Sequence, residues 1–229
     1  MSGGQGHITP ELFDFMSDLA KNNDREWFKA HQSEYESHVR EPLRAFIREV
    51  DAPLEAVSPH IVVDDRKSGG SLFRILRDVR FSKDKSPYKT WAAVQFRHEA
   101  GKDAHAPGYY LHLQPGTIFV GAGSWHPARD ALGAIRDAIV ESPDDWYEAR
   151  DAVIAAGFEF EGESLKRPPR GYPAEHPALE DLKRKDFIAV RRLSQESTYG
   201  PDFAGEFAEM CAEAAPLMKF LTTAIGVRW

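Results

Sequence analysis

The hydrophobic pattern changes period twice along the chain. Thr9 precedes Pro10 and Glu11, a helix start, and Leu12, Phe15, Met16 and Leu19 follow on one helical face. Asn22 and Asn23 interrupt that helix. Asp24 caps the next one, which carries Phe28, His31, Tyr35 and Val39 at spacings of three and four. Glu41-Pro42 kinks or restarts it, and Leu43, Phe46, Ile47 and Val50 continue the stripe. Beyond Pro59 the helical period is lost. Residues 61–63 form a short β-branched run, residues 71–81 read as strand, turn or both, and residues 91–97 read as a strand. Residues 109–113 and 117–121 flank Gln114-Pro115-Gly116, a short hairpin connection. Helices return after Pro127 with Leu132, Ile135 and Ile139, and again at Ser142-Pro143. Phe158 and Phe160 alternate with glutamates, and residues 186–192 predict one more strand. Pro201-Asp202 opens a last helix with Phe203, Phe207, Met210, Ala214, Leu217 and Leu221 inward and a kink at Pro216.

Short links between successive strands favour antiparallel pairing. The expected class is therefore α+β, a central antiparallel sheet with helices at the N- and C-terminal ends of the chain. Residues 1–7 are Gly-rich and predict a disordered tail, with residues 8–229 as a single domain. The 229 residues are 42% apolar and 11% aromatic, enough to bury a core and too aromatic for a disordered chain. There is no apolar run of about 18 residues and no basic, then apolar leader, so neither a membrane span nor a secretory signal is expected. One cysteine makes no internal disulfide. These features lead to the expectation of a cytoplasmic protein without membrane contact.

Charge alters this picture in two places. The formal net charge is -7, yet residues 64–89 and residues 166–192 each carry eight basic against four acidic side chains, leaving -15 on the rest. If the fold joins the two blocks, they make an electropositive patch that draws anions to an otherwise acidic body. If it does not, they are two solvated surfaces.

The first block contains Arg74, Arg77 and Arg80 at a spacing of three, interleaved with Ile75, Val79 and Phe81, which are expected in the core. Arg presents a planar fork of donors suited to carboxylate and phosphate, and Asp78 and Asp84 can orient such forks through ion pairs. This stretch resembles the signature of a widespread bacterial family, domain of unknown function 2461. That signature reads Arg-x-x-Arg-Asp-x-Arg-Phe, three residues, Asp or Asn, Lys, two residues, Tyr. Arg74, Arg77, Asp78, Arg80, Phe81, Asp84, Lys85 and Tyr88 match its fixed positions, and the resemblance extends to everything after His7. It implies that these residues act as a unit, as an anion site, as an ion-pair network locking a strand to the helices, or as an interface.

In the second block Lys166, Arg167 and Arg170 lie on a Pro-rich loop with Tyr172, either a wall of the anion cleft or an exposed loop. His98, His105, His112 and His126, with Glu99 and Asp103, fit no metal-ligand spacing, and no metal is expected. His112 alternates with Tyr110 and Gln114, which places all three on one sheet face, and it joins Asp78 and Tyr88 as a proton-transfer candidate. Trp125-His126-Pro127 supplies a stacking surface or caps the core. The residues identify no cofactor, and no nucleophile elbow or dinucleotide fingerprint is present; Gly121-Ala122-Gly123 is only a fragment of the latter. The leading expectation is binding or conversion of a small phosphorylated or carboxylated metabolite. Arg74, Arg77, Arg80, Lys85, Lys166, Arg167 and Arg170 would hold the anion. The alternatives are a nucleic-acid module stacking bases on Tyr172 and Trp125, which the acidic net charge disfavours, and a non-enzymatic scaffold.

Overall fold

The computed structural model describes residues 6–101 and 107–229. The segment opens on Gly6, buried beside the Tyr199 and Gly200 carbonyls, and on His7, paired with Glu49; residues 1–5 of the expected tail lie outside the description. Helix α1 (Pro10–Lys21) buries Leu12, Phe13, Phe15, Met16 and Leu19 and stops at Asn22. Asp24 caps α2 (Arg25–Ala30) by accepting the Glu26 and Trp27 amides at 2.9 and 2.8 Å. The apolar stripe expected to form one helix from Phe28 to Val39 is divided. At His31 the ring stacks on Trp27 and bonds its carbonyl, so α3 (Gln32–Tyr35) starts afresh and runs through a π-turn at Glu36–Arg40 into α4 (Glu41–Glu49) and α5 (Asp51–Val57).

Six strands follow as one antiparallel sheet: β1 (Ile61–Val62), β2 (Ala92–His98), β3 (Gly108–Gln114), β4 (Thr117–Ser124), β5 (Glu159–Glu161) and β6 (Phe187–Leu193), in the order β1-β2-β3-β4-β6-β5. Between β4 and β5 run α6 (Arg129–Glu141) and α7 (Pro143–Ala155). The short α8 (Leu179–Leu182) precedes β6, and α9 (Phe203–Glu213) and α10 (Ala215–Ala224) close the chain. The fold is α+β, with helices at both ends of the sequence. Where a kink was expected at Pro216 the helix breaks fully: Ala214 ends α9 and Pro216 enters the first turn of α10, where a missing N–H costs nothing. His98, one residue past the expected strand 91–97, ends β2, buried, with Nε2 on the Arg228 carbonyl at 2.6 Å.

One sheet face is covered. α1, α9 and α10 lie against β3 and β4, and α6 and α7 pack outside α10. Phe96, Leu111, Val120 and Ala122 point inward, and the Phe96 ring meets Phe207 at 5.6 Å. Burial of Phe96, Leu111 and Val120 contributes about 1.5–3 kcal/mol each. The opposite face carries the alternate residues of the same strands: Gln95; Gly108, Tyr110 and His112; Phe119, Gly121 and Gly123; Ile188 and Val190. No helix among the described residues is long and apolar enough to cross a membrane.

Candidate functional site

The Arg74–Tyr88 stretch is an irregular hairpin arm projecting from the edge beside β2. Leu72 bridges Val94 and Leu76 bridges Tyr88; the Arg77 amide donates to the Pro87 carbonyl at 2.9 Å and the Lys89 amide to that of Ile75 at 2.8 Å. Asn23, next to the helix-ending Asn22, holds the arm to the helices. Its Nδ2 donates to the Tyr88 carbonyl at 3.0 Å, and its Oδ1 accepts the Tyr88 amide at 3.1 Å. The Phe28 ring stacks on Tyr88 at 4.2 Å.

The expected Arg–Asp pairs are present, but they close within the arm. Arg77 binds Asp84, and Arg80 binds Asp78 at 2.7 Å. Lys85 donates to the Val79 carbonyl at 3.0 Å. A network locking a strand to the helices is thus not what these charges make. Phe81, expected in the core, is 95% exposed at the tip of the arm, where no layer lies beside it. The Arg80 side chain, aided by the Arg80 amide, pulls the Asp78 carboxyl down to about 2, which leaves it a weak base. The Arg77 guanidinium, with Ser86, holds Asp84 well below the carboxylate range. Tyr88 is buried and engaged through its backbone and ring.

Under the arm lies a cavity of about 510 Å³ lined by Asn23, Arg77, Asp78, Asp84, Lys89 and Trp91, among others. Arg80, Lys85 and Arg74 do not line it. Lys89 is half-buried. Its Nζ donates to the Arg74 carbonyl and, at 3.2 Å, to the Leu76 carbonyl. It sits 5.2 Å from the Trp91 ring centre and 5.8 Å from that of Phe73. Burial, reinforced by the charge of Arg74, brings its ammonium down to about 8.

Trp91 also walls a second hollow, a groove of about 360 Å³ on the open sheet face. Phe73, Tyr110, Phe119 and Trp125 line it with Gln95 and Ile188, and Gly108, Gly121 and Gly123 form its floor. Tyr110 pairs with Gly121, and Gly108 with Gly123, so aromatic rings stand beside bare backbone. Gly123 has φ +126°, and a Cβ there would lie 2.0 Å from the Phe187 carbonyl oxygen, so the fold itself demands glycine. Gly121 differs: the atoms nearest a Cβ there are Tyr110 Cβ at 3.7 Å, Tyr110 Cδ1 at 3.9 Å and the Ala189 carbonyl oxygen at 3.9 Å, which are ordinary contacts. Its missing side chain leaves the groove open.

Tyr110, His112 and Gln114 share this face, as their alternation predicts. The Tyr110 hydroxyl lies 3.0 Å from His112 Nδ1, and Gln114 Oε1 3.3 Å from Nε2. With Nε2–H donating to Gln114, Nδ1 accepts the Tyr110 proton. His112 is sandwiched between Trp91 and Phe119, the latter stacked at 4.8 Å, and burial lowers its pKa, so the ring is neutral near pH 7. It supports the groove wall from behind and does not line it.

Trp125 reaches the groove rim from a strained corner. His126 adopts φ 51° and stacks on Trp125 at 4.1 Å. Asp186, 1% exposed, fixes the corner. One carboxylate oxygen accepts the His126 amide and faces its Nδ1, both at 2.7 Å, and the other accepts the Glu163 amide at 2.8 Å. Burial would raise this carboxyl, but these bonds outweigh it and lower the pKa. Lys166, Arg167 and Arg170 are exposed and line neither hollow. Their loop turns onto α6 through the Tyr172 hydroxyl, which donates to Asp137 at 2.7 Å, so Tyr172 is not an open stacking platform. His105 and Asp103 lie outside the described residues. Among the described residues no three His, Cys, Asp or Glu side chains cluster as metal ligands.

Sequence reasoning missed Asn23, Phe73, Lys89, Trp91, Phe119, Gly121 and Asp186. A signal existed for two of them: Phe119 and Gly121 alternate in step with Tyr110 and His112 across the predicted hairpin. A family model described as a conserved hypothetical protein (DUF2461) matches residues 11–220. No curated protein and no solved structure matches the chain.

Proposed function

We propose that this chain, which belongs to the DUF2461 family of conserved hypothetical proteins, binds a flat, largely apolar small molecule that carries an acidic group. The observation that carries the reading is Trp91, one wall of both hollows, with the Lys89 ammonium 5.2 Å from its ring centre. A flat ring lying over Gly121 gains aromatic contact on several sides. An acid group at the Trp91 end faces Lys89 and Arg77, and Lys89 has no carboxylate partner among the described residues. Binding of a carboxylated or phosphorylated metabolite, expected from the arginine spacing, is kept here with the cations reassigned: Lys89 first, Arg77 second. Arg80, Lys85 and the Lys166–Arg170 loop contribute nothing to this site. A nucleic-acid reading is supported less, because Tyr172 is turned onto α6 and the second basic block lines neither hollow.

The test is a thermal-shift comparison of benzoate, 2-naphthoate and indole-3-acetate with their uncharged parent arenes and with acetate. Ligands that bind the native state raise the melting temperature. The aromatic acids should stabilise the wild type more than either control. In Gly121→Val the shift should vanish while the unliganded protein melts no lower, since the new side chain fills the groove and a β-branched residue suits a strand. Equal shifts from acetate and the aromatic acids, or undiminished shifts in Gly121→Val, would sink the proposal.

A further inference from the structure

Lys89 has surroundings that a merely structural lysine does not need. Lys89 lines a cavity, yet no Asp or Glu oxygen among the described residues pairs with its Nζ. The acids of that cavity are engaged elsewhere, Asp84 on Arg77 and Asp78 on Arg80, and the nearby cation Arg74 repels its charge. Two backbone carbonyls, of Arg74 and Leu76, accept from Nζ. A neutral amine has two N–H bonds, enough for both, and the remaining tetrahedral direction then carries the lone pair.

We propose that Lys89 is a nucleophile that captures a carbonyl compound bearing a carboxylate, such as an aromatic aldehyde acid or a 2-oxo acid, as a protonated imine. This rests on the ligand site described above and names the chemical class of its occupant. The ammonium first gives up a proton to water. The Nζ lone pair forms the C–N bond and one proton passes from nitrogen to the carbonyl oxygen, giving a neutral carbinolamine. The proton first given to water returns to that oxygen, the C–O bond breaks, the oxygen leaves as water, and nitrogen keeps one hydrogen as the iminium. Overall an ammonium and a carbonyl become an iminium and water, with no oxidant or reductant. Arg77, in the same cavity, faces the carboxylate, and Trp91 flanks the imine carbon. An amine that loses its proton near pH 8 is a competent nucleophile at the upper end of the physiological range, whereas exposed lysines stay protonated until about pH 10.

The probe is 4-formylbenzoate with cyanoborohydride, which reduces an imine to a stable secondary amine, followed by peptide mapping. The expected result is one dominant adduct on Lys89. With cyanoborohydride in excess, so that C–N bond formation sets the rate, labelling should climb about tenfold per pH unit below 8, as the free amine does. Terephthalate has the same outline without the aldehyde and should protect Lys89 in the wild type. Lys89→Arg should lose the dominant adduct, and because the wild-type map and the protection test need no variant, a misfolded Lys89→Arg does not blunt the experiment. Adducts spread evenly over the surface lysines would overturn the proposal. If terephthalate raises the melting temperature but Lys89 is not labelled, the imine proposal fails and the binding reading stands. If terephthalate neither binds nor protects, both fail.

Discussion

The attachment of the arm can be tested through Asn23. Asn23→Ala removes a donor to the Tyr88 carbonyl at 3.0 Å and an acceptor for its amide at 3.1 Å, and it leaves the Phe28–Tyr88 stack as the remaining tie described at that point. Each bond contributes about 0.5–1.5 kcal/mol, so the arm should lose about 1–3 kcal/mol of docking. At a middle value of about 2 kcal/mol, local opening becomes roughly 30-fold more frequent, and hydrogen exchange in residues 74–90 should speed up by that factor. Where opening stays coupled to global unfolding, the melting temperature should fall by about 4–8 °C for a chain of this size. Asn23→Asp separates the two bonds: it keeps the acceptor for the Tyr88 amide but turns a carboxylate oxygen toward the Tyr88 carbonyl, so its effect should be at least as large as that of Asn23→Ala. The readouts are exchange mass spectrometry on the arm and urea unfolding of the whole protein. Unchanged exchange over residues 74–90 in Asn23→Ala would refute the docking argument.

Two further outcomes follow from the same geometry. Arg77→Ala breaks an exposed pair internal to the arm, so it should lower the melting temperature by less than half as much as Asn23→Ala while weakening aromatic-acid binding; a larger thermal loss with binding intact would make Arg77 a scaffold residue. Asp186→Asn leaves a buried N–H facing an amide donor and should cost about 1–3 kcal/mol at pH 7. Because the folded-state pKa of Asp186 is depressed, its contribution is whole above the ordinary aspartate value of about 3.9 and is lost as pH falls through the folded value. Urea unfolding should therefore show the gap between wild type and Asp186→Asn narrowing below pH 4, and a gap constant with pH would refute that account.

The strands were legible because alternation and burial agree along them. Tyr110, His112 and Gln114 share a face for no deeper reason than the two-residue period of a strand. The ion pairs of the arm were legible as chemistry but not as architecture. The sequence offers Asp78 and Asp84 as partners for the arginines; it does not show which pairs form, nor that both stay within one hairpin. Phe81 was misread for a related reason: an apolar side chain goes to the core only where a second layer exists, and the tip of the arm extends past the helices. The groove was the least legible part. Its walls come from the arm and four strands, and β6 takes its place beside β4 ahead of β5, a strand order that local pattern does not encode.

This division bears on the site itself. The charges at the tip of the arm are satisfied by one another, so few long-range contacts hold that segment, among them the Leu72–Val94 bridge, the Phe73 ring edge-on to Tyr110, Ile75 in the core, and Asn23 with Phe28 on Tyr88. Phe73, Lys89 and Trp91 lie between or just beyond these anchors, and they form the junction of the two hollows. An element tied at few points opens more readily than the sheet beneath it. A ligand spanning groove and cavity would bridge the arm to β3 and β4, adding the contacts that the arm's own sequence does not make. Binding should therefore slow exchange in residues 74–90 more than in the strands, and an aromatic acid that protected only the strands would be sitting in the groove alone.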